Sequence, residues 1–143
     1  MYNKQLIKQI AAIGLCLLPA LSFANALAIS NNTNEDSTSR IIKDKSRKCT
    51  DSMKNDAGIT RAHEQNHPID EANIKIACHP NPENCQAVVY MNDHCGDPAI
   101  ATVVFSKSQG VLGVSSIPGS GYDINAPIGT FNVIINYASS VAK

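Results

Sequence analysis

The chain has 143 residues, with 12 lysine and arginine side chains against 12 aspartate and glutamate, hence no formal net charge, and it contains no tryptophan. This balance excludes the broad basic field on which nonspecific nucleic-acid binding depends. The length suits a single domain able to bury a core of its own.

The N-terminus reads as an export signal. Met1 to Lys8 carries Lys4 and Lys8 and no acid, and Ile10 to Leu18 is an apolar run, the n-region and h-region of a signal peptide. Pro19 breaks the run, and Ser22-Phe23-Ala24 places small residues where a signal peptidase requires them, with Ala24-Asn25-Ala26 and Ala26-Leu27-Ala28 close behind. Residues 1–24 are therefore assigned to a cleavable signal peptide, and the mature protein is expected to be periplasmic or secreted. An uncleaved anchor over Ile10 to Ile29 is the alternative, disfavoured by Pro19 and by the repeated small residues. Leu15 before Cys16 is too large for a lipoprotein cleavage site, so no membrane attachment is expected after processing. Losing Lys4 and Lys8 leaves 10 basic and 12 acidic side chains, a formal charge of −2.

Cys49, Cys78, Cys85 and Cys95 remain after cleavage. An even number in an oxidising compartment points to two disulfides, for which three pairings exist. The favoured pairing closes Cys78 to Cys85 across a turn and ties Cys49 to Cys95, fastening the N-terminal segment to the body. A four-thiolate zinc site is the rival, but no C-x2-C spacing is present.

Residues 25–48 are expected to form a disordered leader. Ser30 to Ser39 (SNNTNEDSTS) contains no apolar residue and so offers nothing to offset the entropy of ordering. Arg40 to Lys48 holds five basic side chains and one acid, a solvated segment or a contact for an anionic surface. Asn31-Asn32-Thr33 matches the N-glycosylation sequon.

Residues 49–143 are expected to form one disulfide-containing domain. Cys49 to Ala72 has weak helical character, giving a short helical or irregular segment. Ile74, Ile76 and Cys78 alternate with Asn73, Lys75 and Ala77, the period of a half-buried strand. His79 to Asn84 is turn chemistry, Gln86 to Met91 a strand, Asn92 to Pro98 a turn, Ala99 to Phe105 a strand rich in β-branched residues, and Val111 to Val114 a short strand. Ser115 to Gly129 reads as a long loop with several glycines and prolines. Thr130 to Ala138 alternates cleanly, with Phe131, Val133, Ile135 and Tyr137 on one face. The expected fold is mainly β: a small antiparallel sandwich or barrel-like sheet, stapled by disulfides.

His63-Glu64-Gln65-Asn66-His67 is a literal H-E-x-x-H. On a helix its two histidines stand one turn apart and ligate zinc, while the glutamate activates the metal-bound water. The motif resembles that of the zincin metallopeptidases over these five residues alone. Pro68 disfavours helical angles at His67, Gln65 and Asn66 are both polar, and Asp70 and Asn73 stand where the extended metzincin pattern places glycine and histidine. A third ligand would have to come from Glu71, His79, His94 or another acid. Gly119-Ser120-Gly121 lacks the frame of a phosphate loop, and no G-x-S-x-G elbow occurs.

No cofactor is expected in the leading reading. It is an exported, non-enzymatic interaction protein that presents loops to an unidentified protein or an envelope or host macromolecule, with Tyr122 and Asp123 in the long loop as contact residues. The alternative is a small zinc-binding protein or zinc-dependent hydrolase, with His63 and His67 as ligands and Glu64 as general base.

Overall fold

The computed structural model describes residues 27–42, 58–69 and 71–139, except for the side chains of residues 73, 76 and 77. The signal peptide at 1–24, the basic run at 43–48 and Cys49 lie outside the described residues. Among the described residues nine strands and one short helix follow in chain order: β1 (Ala28–Asn31), β2 (Ser37–Ile42), β3 (Ile59–Thr60), β4 (His67–Pro68), α1 (Glu71–Ala77), β5 (Cys85–Tyr90), β6 (Ala99–Ser106), β7 (Gly110–Ser116), β8 (Tyr122–Asn125) and β9 (Asn132–Tyr137). They form a four-stranded sheet ordered β4-β1-β9-β8 and a five-stranded sheet ordered β3-β2-β5-β6-β7. Every described pairing is antiparallel except β1 with β9. The expected mainly antiparallel β architecture is thus present.

Alternation builds the core. Ile29, Ile124, Val133 and Ile135 of the first sheet meet Ala87, Val89, Ala101, Val103, Phe105 and Val111 of the second in one buried cluster. Each full burial of such an aliphatic side chain contributes about 1.5–3 kcal/mol. On the far face of β5, Val88 and Tyr90 join Ala99 in a second buried cluster, with Ile42 and Cys95 packed against it. Both faces of β5 are therefore buried, as the unbroken apolar run from Ala87 to Met91 suggests.

The polar segment expected to be disordered is ordered between residues 28 and 42, where it supplies β1 and β2. Asn31, Thr33 and Ser37 are fully buried, and Thr38 and Arg40 nearly so. Hydrogen bonding replaces hydrophobicity here. The Asn31 amide donates to the carbonyls of Glu35 (2.7 Å), Arg61 (3.2 Å) and Thr60 (3.4 Å), while its Oδ1 accepts from the backbone N–H and hydroxyl of Thr33 at 3.0 and 2.7 Å. A polar side chain so satisfied is buried at little net cost. The sequon asparagine is thereby an interior residue rather than a surface acceptor.

Three further expectations change. Residues 58–69, within the stretch read as weakly helical, form no helix and contain β3, β4 and the turns between them. The strand expected over 73–78 is instead α1: Ile74 and Cys78 are both buried, four residues apart on one helical face, and Lys75 Nζ pairs with Glu71 Oε1 at 3.2 Å. The loop expected from Ser115 to Gly129 contains the end of β7 and all of β8.

One end of the sandwich is clamped. Cys78 and Cys85 form a disulfide across the predicted turn, and closing so short a loop contributes about 2–3 kcal/mol. Cys95 is also disulfide-bonded, and its partner lies outside the described residues. Glu83 of the Cys78–Cys85 turn accepts from the hydroxyls of Ser106 and Ser108, and Lys107 N–H donates to Pro82 O at 2.9 Å, which joins this turn to the β6–β7 turn. Where β7 begins, Val111 N–H donates to Thr130 O at 2.7 Å and its carbonyl accepts from Gly129 N–H at 2.8 Å. Gly110 has φ +79°, and a Cβ there would stand 2.2 Å from Thr130 O, so only glycine permits this approach. Among the described residues, no helix is long and apolar enough to cross a membrane.

Asn31→Ala is expected to lower stability by about 2–4 kcal/mol, because it removes the hydrogen bonds to Glu35 O, Thr60 O, Arg61 O and the Thr33 hydroxyl and leaves the buried Thr33 N–H without its acceptor. Urea unfolding measures this; a loss below about 0.5 kcal/mol would show that the corner is held by other contacts.

Candidate functional site

Residues 61–68 carry the H-E-x-x-H motif, and their backbone is not helical. His63 (φ 59°) and Asn66 (φ 55°) both take left-handed angles, and His67 begins β4, opposite Ile29. The one-turn spacing that would direct His63 and His67 at a common ion is therefore not formed. The segment is a strap lashed to the β1–β2 corner: His63 N–H donates to Thr33 O at 3.1 Å, and Asn31 N–H to Glu64 O at 2.8 Å. Glu64 Oε2 accepts from Arg61 N–H at 2.7 Å, and its Oε1 lies 2.8 Å from His67 Nδ1. These contacts, the Arg61 N–H first, hold the Glu64 carboxyl below its ordinary value. Asp36 is held low in the same way, by the Arg61 guanidinium at 2.7 Å and then by the Ala62 N–H at 2.9 Å. Both oxygens of Glu64 are thus committed to shaping the strap.

The other candidate ligands are dispersed. His79 is exposed beyond α1, His94 Nδ1 meets Asp93 Oδ1 at 2.8 Å, and Glu71 lies between Lys75 and Lys107. Among the described residues, no group of three or more histidine, cysteine, aspartate or glutamate side chains is placed to hold a metal ion. Treatment of the purified protein with a chelator is expected to leave its thermal midpoint unchanged; a midpoint that falls with chelator and returns with zinc would restore the metal reading.

Tyr122 and Asp123 lie in β8, at the edge of the four-stranded sheet. Tyr122 is directly opposite Tyr137, and their rings stack with centroids 5.8 Å apart and planes at 28°. Both hydroxyls are tied to the β1–β2 corner: Tyr122 donates to Glu35 Oε2, and Tyr137 accepts from Asn34 N–H at 3.0 Å. The pair closes one end of the core, with Tyr122 half-buried and packed against it. The Glu35 carboxylate, and secondarily burial, raise the Tyr122 phenol to about 12. Asp123 points the opposite way, exposed on the outer face beside Asn136.

A raised phenol contributes stability that is complete below its unfolded value and is lost as pH climbs to the folded one. The protein is therefore expected to lose stability between pH 10 and about 12. In Tyr122→Phe that component of the alkaline loss disappears; identical alkaline profiles for the two proteins would refute the Glu35 contact.

Sequence reasoning missed the exposed apolar residues between positions 112 and 137. Leu112, Ile117, Ile128 and Tyr137 are 36%, 40%, 76% and 47% exposed. Leu112 is the extra residue of a β-bulge: Val111 pairs with Phe105 and Gly113 with Val104, leaving Leu112 without an opposite and turned outward. Ile128 occupies a tight turn in which Thr130 N–H donates to Pro127 O at 3.1 Å and Gly129 has φ +78°. Turn formers flank Ile117 and Ile128 in the sequence, and an aliphatic residue between turn formers is the signal that could have found them.

Comparison with known proteins gives two findings. A family model described as type II secretion system (T2SS) substrate NttC matches residues 3–133. The crystal structure of the Legionella pneumophila type II secretion system substrate NttC is similar, with a TM-score of 0.55 and 20% identity, covering 79% of this chain and 97% of that one. No curated protein matches the sequence.

Proposed function

Because the chain belongs to the NttC family of type II secretion system substrates, and is therefore secreted, we propose that it acts as a non-enzymatic binding protein, presenting the β7–β9 side of its sandwich to a macromolecular partner. One observation carries this reading. Among the described residues, the large apolar side chains that remain exposed, Leu112, Ile117, Ile128 and Tyr137, all fall between positions 112 and 137.

Exposed apolar side chains gathered into a patch mark contact surfaces, and a rigid frame that holds them makes such a patch ready to bind. Each of these four is so held. A bulge ejects Leu112, tight turns carry Ile117 and Ile128, and Tyr137 is backed by Tyr122 and tethered through Asn34. Little conformational entropy is left to lose on binding, which favours affinity. Asp123, exposed on the edge strand, supplies a polar contact at the margin, and Tyr122 supports the surface from beneath.

The test is capture of partners by the immobilised mature protein from envelope and host-cell extracts, compared with Ile117→Ser/Ile128→Ser and Tyr122→Ala/Asp123→Ala. Each double variant is expected to retain less than about a tenth of the captured material, with circular dichroism confirming that the fold persists. Equal capture by wild type and both folded variants would refute this surface.

A further inference from the structure

The outer face of the four-stranded sheet differs in chemistry from the β7–β9 side. Its strand positions are Ala28 and Ser30 of β1, Pro68 of β4, Asn132, Ile134 and Asn136 of β9, and Asp123 and Asn125 of β8, as the cross-strand register dictates. One charge, Asp123, stands among them, with no lysine or arginine and with a single large aliphatic residue, Ile134, that is half-buried.

Across this face runs a directed chain of amides. Gln65 Nε2 donates to Asn32 Oδ1 at 2.9 Å, and Asn32 Nδ2 donates to Asn136 Oδ1 at 2.8 Å. Asp123 stands opposite Asn136 on the next strand. All these side chains except that of Asn136, which is half-buried, are exposed. Since both bonds run in one direction, the row ends in an acceptor, Gln65 Oε1, on one side, and in a donor, Asn136 Nδ2, beside the Asp123 carboxylate on the other. At a strand spacing of about 4.8 Å the row spans on the order of 15 Å.

We infer that this face is a binding site for a neutral, polyhydroxylated polymer: an uncharged glycan lying across the strands. A hydroxyl both donates and accepts, and the adjacent Asn136 donor and Asp123 acceptor match it, as a side-chain amide matches a pair of neighbouring hydroxyls. The absence of basic residues from these strand positions disfavours a polyanion, which needs them, and the isolation of Ile134 disfavours an apolar partner. The mutual bonds of Gln65, Asn32 and Asn136 fix their orientations before a ligand arrives, which limits the entropy lost on binding. Asn125, exposed next to Ile134 in the register, extends the polar surface along the strands. Asp123 is common to the margin of both surfaces, but Asn32, Asn136, Asn125 and Asn132 belong to this one alone and Ile117 and Ile128 to the other, so variants at those positions let either surface fail alone.

The experiment is co-sedimentation of the mature protein with insoluble cellulose and chitin and binding to an array of neutral glycans, alongside heparin-agarose and phosphatidylglycerol vesicles. Wild type is expected to bind at least one neutral glycan, and Asn32→Ala/Asn136→Ala to bind it about tenfold more weakly with an unchanged thermal midpoint, while Ile117→Ser/Ile128→Ser binds it normally. If the first double variant does not fold, Asn125→Ala/Asn132→Ala, altered only at exposed positions, is read in its place with the same expectation. Failure to bind any neutral glycan, equal binding by the folded amide variant, or retention on heparin or vesicles alone would each overturn the inference.

Discussion

The fold depends on the buried amide of Asn31. At this point the chain leaves one sheet and enters the other, and a corner of that kind would normally leave carbonyls without partners inside the protein. One side chain ties these groups together by serving Glu35, Thr60 and Arg61 while accepting from Thr33, beside the Thr33 and Ser37 hydroxyls and the Glu64 N–H that reach the same carbonyls. The same contacts draw the 61–68 strap against the corner, and Arg61, Asp36 and Glu64 then hold it in shape. Two sheets that also share the hydrophobic core and the Val111 bonds to Gly129 and Thr130 are fixed at this corner by a directional polar joint, which specifies geometry more narrowly than apolar packing does.

That joint reaches the surfaces argued to matter for function. Glu35 and Asn34 belong to the corner, and they hold Tyr122 and Tyr137; Asn32 also belongs to it, and begins the amide chain to Asn136. The frame that closes the core therefore also positions the polar outer face and the aromatic end of the sandwich. Edge protection follows a similar economy. The Leu112 bulge interrupts β7, and Gly129 and Thr130 cover its start, so the edge strand does not present a continuous template for pairing with other chains.

Legibility from sequence tracked how local the determining interactions are. β5, β6, β7 and β9 could be read because each is an apolar or alternating run bounded by turn formers, and the Cys78–Cys85 bridge because prolines and asparagines between the cysteines require a reversal. β1 and β2 escaped notice because the polar stretch Ser30 to Ser39 that they share is buried through hydrogen bonds to residues some 30 positions away, for which composition carries no signal. α1 was misread because Ile74 and Cys78 fit both an alternating strand and a four-residue helical spacing, and the choice between them was made by packing. The H-E-x-x-H pattern depended on a helix that Pro68 and the left-handed His63 and Asn66 deny. The pairing of Tyr122 with Tyr137 was invisible because register is a tertiary property.

The interior position of Asn31 bears on how the protein is made. Oligosaccharyltransferases modify nascent chains before they fold, so synthesis in a eukaryotic secretory host would expose this asparagine to the enzyme while it is still accessible. A chain carrying a sugar there could not seat the amide among its three carbonyls, and the corner would remain open. Recombinant production therefore belongs in a bacterial periplasm, where sulfur oxidation proceeds without that competing modification.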